Sequence, residues 1–179
     1  MHTVVYSRPS AQHESHRGGQ VARAALRVAH GVSTTRYSPD SPYSQGDDSD
    51  QRFVAMLDAY RASGGLARAE EVLAMFRRCS GPDVAVLARW IAQRELICFE
   101  WQQQTWMPLF QFDRVHLCPD VRLQAVFTEL NCVYDQWEIG NWFALPNAWL
   151  AERSPVEALS YDFSAVLDAA RADRFVAAG

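Results

Sequence analysis

Five histidines and four cysteines are the side chains best suited to metal binding or nucleophilic work, and their spacing supports neither. Cys79, Cys98, Cys118 and Cys132 lie 19, 20 and 14 residues apart, with no Cys-x-x-Cys pair. Only His116 stands close to one of them, so zinc spacing is absent. A disulfide framework is not implied at this chain length, and buried free thiols in a reducing cytoplasm are the expectation. The other four histidines (His2, His13, His16 and His30) fall in a polar N-terminal stretch and read as solvated. There is no Gly-x-Ser-x-Gly, no glycine-rich phosphate loop and no paired-carboxylate motif. The expectation is a protein that is not an enzyme, with no catalytic residue, metal or cofactor.

The chemistry on offer is packing and recognition. Trp137, Trp142 and Trp149 fall within thirteen residues, and Pro146 and Pro155 mark turns after them. So many large apolar side chains with so few reactive neighbours read as a packing and binding surface. Charge is uneven along the chain. Over 120–179 four arginines face nine acids, a net of −5, whereas 1–50 is neutral and 51–119 carries +1. An acidic last third argues against nucleic acid as its own partner and suits a basic protein surface. No apolar run approaches the roughly 18 residues of a membrane span, so no membrane partner is expected.

The elements that must position these residues can be read from periodicity. Residues 1–50 are rich in Ser, Gly, Arg and Pro and are expected to form a disordered tail, whose first 36 residues, with five Arg and one acid, read as a basic tail rather than a transit peptide. Order is predicted from near Gln51, with Phe53, Met56, Leu57 and Tyr60 on a helix closed by Gly64-Gly65. Leu66, Ala69, Val72, Leu73 and Phe76 predict a second helix ending at Arg77-Arg78. A third carries Val84, Leu87, Ala88 and Ile91 inward, with Arg89 and Arg94 outward. Leu96–Trp101 and Trp106–Phe112 read as two strands around a four-residue loop, with Pro108 marking an edge strand. Asp120 is expected to cap a helix carrying Val121, Leu123, Val126, Phe127, Leu130 and Val133. A short helix over Trp137–Phe143 follows, and Ser154-Pro155-Val156-Glu157 is a capping box with proline at the first helical position. Asp162 caps a short last helix with Phe163, Val166, Leu167 and Ala170 inward, and Asp168 beside Arg171 outward.

The fold class expected is therefore mainly α with one small β-hairpin. A tail over 1–50 precedes a helical, helix-turn-helix-like subdomain with a hairpin wing over 51–113, and a helical domain follows over 114–179. In the middle subdomain Arg77, Arg78, Arg89 and Arg94 are the candidate phosphate contacts. A regional charge of only +1 is weak for DNA binding by a lone monomer.

The order of signals in the last third resembles the toxin-binding domain of the Xre/MbcA/ParS-like antitoxins. The matching residues are Trp142-Phe143, Pro146-Asn147, Leu150, Arg153-Ser154-Pro155, Leu159, Asp162 and Val166. The block from Pro108 to Asp113 looks like the proline–phenylalanine–glutamine–phenylalanine segment that precedes the domain in many members. The likeness covers 106–179 well and 66–105 loosely. Where members carry two glycines after the leucine, this chain has Ala151-Glu152, which predicts an altered turn. The resemblance implies neutralisation of a RES-domain toxin, an enzyme that degrades NAD, by helices laid over its active-site cleft. It also implies a homodimer or larger assembly with the toxin, and N-terminal helices that bind the operon's promoter DNA. The partner-facing candidates are Trp142, Pro146, Asn147, Trp149, Leu150, Arg153, Ser154 and Pro155. Arg171, Arg174, Phe175 and the carboxylate of Gly179 are expected near the toxin's electropositive cleft. Two other readings stay open: a solitary DNA-binding regulator, and a protein-binding adaptor without a toxin.

Overall fold

The computed structural model describes residues 45–179. The expectations for 1–44, its histidines included, lie outside them. The described chain is mainly helical with a small antiparallel sheet. Its elements are α1 (Gln45–Tyr60), β1 (Leu66–Arg68), α2 (Ala69–Arg78), α3 (Val84–Ala92), β2 (Phe99–Trp101) and β3 (Gln104–Pro108). They continue with α4 (Leu123–Leu130), α5 (Gln136–Ala144), α6 (Pro155–Ala158) and α7 (Phe163–Ala178).

Helix α1 begins six residues before the expected start of order. At the end of these added residues, Asp50 accepts a 3.0 Å bond from the Trp101 indole. One turn on, Phe53 stacks on the same ring at 3.7 Å between centroids. Phe53, Met56 and Tyr60, spaced for one helical face, are fully buried. Gly65 then donates to the Tyr60 carbonyl at 2.8 Å, and Gly64 and Gly65 take positive φ to turn the chain.

Two apolar cores share one sheet. The first joins α1 to Val126, Phe127 and Leu130 of α4, Ile139 and Phe143 of α5, and Val166 and Ala170 of α7. The second joins Val72, Leu73 and Phe76 of α2 to Leu87, Trp90 and Ile91 of α3. The sheet stands between them as a partition. Phe99 and Trp106, paired across β2 and β3, belong to the first core; Ala67 and Met107, paired across β1 and β3, belong to the second. The period-2 alternation of strands sends neighbouring side chains to opposite faces.

The sheet corrects four expectations. Leu66–Arg68 is a strand, not the start of a helix, and Ala69 opens α2 with Glu71 reaching back to the Arg68 amide at 2.8 Å. The strand order β1-β3-β2 puts β3 in the centre, not at an edge. Pro108 is tolerated there because it is the last residue of the strand, and the next amide, Leu109, resumes donation to Gly65 at 2.9 Å. The hairpin loop has two residues rather than four: Gln102 and Gln103 lie at φ +47° and +60°, the double positive φ of a type I′ turn. Leu96 and Ile97, read as strand, instead lie in a loop clamped by Gln111. The wholly buried Gln111 amide accepts from the Ile97 N–H at 2.6 Å and donates to its carbonyl at 2.9 Å, replacing a missing strand neighbour.

Among the helices, Asp120 does not cap α4. It turns back onto Arg122, and Val121 is exposed while Val133 lies beyond the helix end. The capping box of Ser154 and Glu157 and the Asp162 cap, which accepts from the Ala165 amide at 2.9 Å, form as expected. Helix α5 carries a further box, from Asp135 and Glu138. The last helix is long rather than short, 16 residues, and the Asp168–Arg171 pair lies on its outer face at 3.1 Å. The thiols divide: Cys98 is buried and pushed up to about 12 by that burial and by Glu100, whereas Cys79 and Cys132 are exposed, contrary to expectation.

Candidate partner-binding surface

The surface is built on the segment between α5 and α6. Asn147 starts a 3-10 turn, Ala148–Leu150, by accepting from the Trp149 amide at 2.9 Å through its side-chain oxygen. The chain then reverses so that Asn147 and Arg153 form an isolated antiparallel bridge, closed by the Asn147 amide on the Arg153 carbonyl at 3.0 Å. Reversal in so few residues needs left-handed backbone, and Ala151 and Glu152 supply it at φ +55° and +62°. Ala151 and Glu152, which stand where the resemblance places two glycines, thus take left-handed backbone with ordinary side chains. That conformation costs roughly 1 kcal/mol per residue.

One carboxylate ties this segment to α7. Asp173 Oδ2 accepts from the Trp142 indole at 2.6 Å and from the Asn147 amide at 2.8 Å, while Oδ1 accepts from the Trp149 indole at 2.9 Å. All three donors are neutral. Trp149 remains 59% exposed, so it is a large ring held in one pose at the surface. Tyr134 lies nearby. Its hydroxyl pKa is raised, first by burial and then by the negative fields of Asp173 and Glu138. Beyond the turn, Arg153 lies over the Tyr161 ring at 5.3 Å and donates to its hydroxyl at 2.9 Å. Tyr161 also borders an open groove of about 490 Å³ floored by Phe110, Leu123 and Phe163 and edged by Arg114 and Arg122.

The residues singled out by sequence divide by exposure. Pro146, Trp149, Arg153 and Phe175 are exposed, the last at 81%. Asn147, Leu150, Ser154 and Pro155 are buried and shape the segment from beneath. Trp142 is half-buried on Asp173, and Gly179 ends the chain beyond α7. Arg171 and Arg174 are turned to Glu129 of α4, the first at 3.5 Å, so both guanidiniums are held within the molecule. Asp173 itself was not anticipated. The signal was present: Val166, Ala169, Ala170 and Asp173 are spaced on one helical face, and an acid on a buried stripe must find donors.

In the second core, Arg77 and Arg78 end α2, Arg89 lies on α3, and Arg94 follows it at φ +54°. All four are exposed, and none forms an ion pair among the described residues. His116 bonds Asp113 at 2.9 Å in an exposed loop. Among the described residues, no three His, Cys, Asp or Glu side chains could share a metal ion. Nor is any helix among them long and apolar enough to cross a membrane.

Compared with known proteins, the chain matches no family model, no curated protein and no solved structure.

Proposed function

We propose that the chain is a non-enzymatic, antitoxin-like protein of the cytoplasm that binds and neutralises a RES-type, NAD-degrading toxin by covering its active-site cleft. The observation that carries this is the pose of Trp149. An exposed indole usually loses side-chain freedom when a partner buries it, and here Asp173 has already removed that freedom. Tryptophan anchors in desolvated pockets dominate the energetics of many interfaces. The left-handed Ala151-Glu152 turn and the Ser154-Pro155 cap fix the segment that carries the ring. Co-expression tests the reading. The chain should restore growth to cells carrying a RES toxin, and Trp149→Ala should abolish rescue while leaving the fold intact. Failure of the unmodified chain to rescue any such toxin refutes it. Retained co-purification with a partner that does not degrade NAD would instead mark an adaptor.

A second reading concerns DNA. The four exposed arginines around α2 and α3, without an ion pair among the described residues, favour promoter contact by a homodimer or a toxin-bound assembly. Binding to the chain's own upstream DNA should weaken steeply with salt, and replacing Arg77 and Arg78 by Gln should lower that slope. Salt-independent binding would exclude phosphate contact.

A further inference from the structure

Among the described residues, Asp173 is an anion without a cation. Its three donors are two indoles and one amide, and no arginine lies within ion-pair range among the described residues. The nearest arginine in sequence, Arg174, is committed to Glu129, as is Arg171, and Arg153 is committed to Tyr161. Its charge is therefore uncompensated among the described residues, and Glu138 adds a second negative field at the neighbouring Tyr134. The acceptor count points the same way. A carboxylate oxygen accepts about two hydrogen bonds; Oδ2 already has two, and Oδ1 has only the one from Trp149. Asp173 is partly exposed, and its Oδ1 bond to the exposed Trp149 lies at the surface, whereas the two Oδ2 bonds are part-buried.

Trp149 complements this. Its only polar hydrogen is spent on Asp173, leaving its electron-rich faces as what it offers a partner. A ring face next to an unfilled carboxylate position suits one kind of group: a planar cation that stacks on the indole and donates to the oxygen. We propose that Trp149 and Asp173 together form a receptor for an arginine side chain presented by the protein partner. The proposal rests on the reading of this surface as partner-facing and adds the chemistry of what docks there. Guanidinium fits better than ammonium because it can stack and donate at once. It also explains why Asp173 is charged where a neutral amide could have held one of the indoles.

The test uses the full chain, labelled with ¹⁵N, and a capped Gly-Arg-Gly peptide, with Gly-citrulline-Gly as the neutral isostere. The six tryptophans give separate indole N–H signals, and the Trp149 signal is identified by its loss in Trp149→Leu. The arginine peptide should shift that signal saturably, roughly in the millimolar range for one stacked, singly bonded cation. The citrulline peptide should shift it at least fivefold less, by the same weak-cation arithmetic of roughly 1 kcal/mol. Asp173→Asn should remove the arginine preference. If Asp173→Asn disturbs the other indole signals, Trp149→Leu decides instead, read at the Trp142 indole, which donates to the same carboxylate and should lose its response to the arginine peptide when the exposed ring is removed. An unmoved Trp149 signal, or equal shifts by both peptides, overturns the receptor. A RES toxin bound while the arginine peptide fails would leave the antitoxin reading standing without the receptor. Arginine binding with no toxin bound would leave the reverse.

Discussion

Gln111 and Asp173 solve the same problem in opposite places. Each gathers polar hydrogens and holds a non-helical segment: Gln111 the loop at Ile97, Asp173 the turn bearing Trp149. Gln111 is neutral, wholly buried, and matches one donor and one acceptor with one acceptor and one donor. Asp173 is charged, partly exposed, and retains an acceptor position after its three donors are placed. The buried clamp is finished and serves stability. The surface clamp is unfinished, and what is left over is available to a partner.

The largest effect that could break this comparison comes from Gln111→Leu. It strands a buried N–H and a buried C=O of Ile97, and should lower unfolding free energy by about 3 kcal/mol in urea titration. Gly140→Ala comes next, because an added Cβ would sit 3.0 Å from the Phe99 ring and 3.3 Å from the Met56 sulfur. Overpacking of that kind costs about 1–3 kcal/mol, read as a lower melting temperature. Asp173→Asn should cost less, about 1 kcal/mol, since the remaining amide oxygen can still accept from the part-buried donors and the exposed Trp149 indole can turn to water. Its main consequence should be loss of the fixed Trp149 pose, seen as increased mobility of that indole. If it destabilised as much as Gln111→Leu, the distinction between the two clamps would fail. Ala151→Gly and Glu152→Gly sharpen the comparison from the other side, since relief of left-handed strain should raise stability by up to about 1 kcal/mol each. The smallest effect is a response to acid at Asp120. Its hydrogen bond to Arg122 holds its pKa below the ordinary carboxylate value, against a smaller opposing effect of burial. That contribution is present above the unfolded-state pKa and is lost as pH falls through the folded one. The drop in urea midpoint on acidification should therefore be slightly smaller in Asp120→Asn than in the unmodified chain.

What the sequence made legible was local. Ser154, Pro155 and Glu157 specify a helix start within four residues, and Asp162 specifies another, so both were readable. The helical faces of Phe53, Met56 and Tyr60, and of Val72, Leu73 and Phe76, were readable for the same reason. Strand order was not. Leu66 continues the helical spacing of Ala69 and Val72, and only pairing with β3, some forty residues on, makes it a strand. Pro108 marked an edge by the usual rule, but a terminal position in a central strand satisfies the same constraint. Of the candidate surface, Trp149 was visible by composition, while Asp173 was hidden because its donors lie 24, 26 and 31 residues upstream. The Ala151-Glu152 turn shows the limit of arguing from residue type, since bridge formation between Asn147 and Arg153 overrides the preference of both side chains.

The sheet that separates the two cores has a consequence for how the molecule comes apart. A strand covered on both faces cannot be released by loosening one side, because Trp106 stays anchored in the first core while Met107 leaves the second. The backbone hydrogens of β3 should therefore exchange with solvent only through global opening, and helices on either side should melt in a single calorimetric transition. In mechanical terms the partition is a rivet: three short strands fix two helical bodies into one cooperative unit.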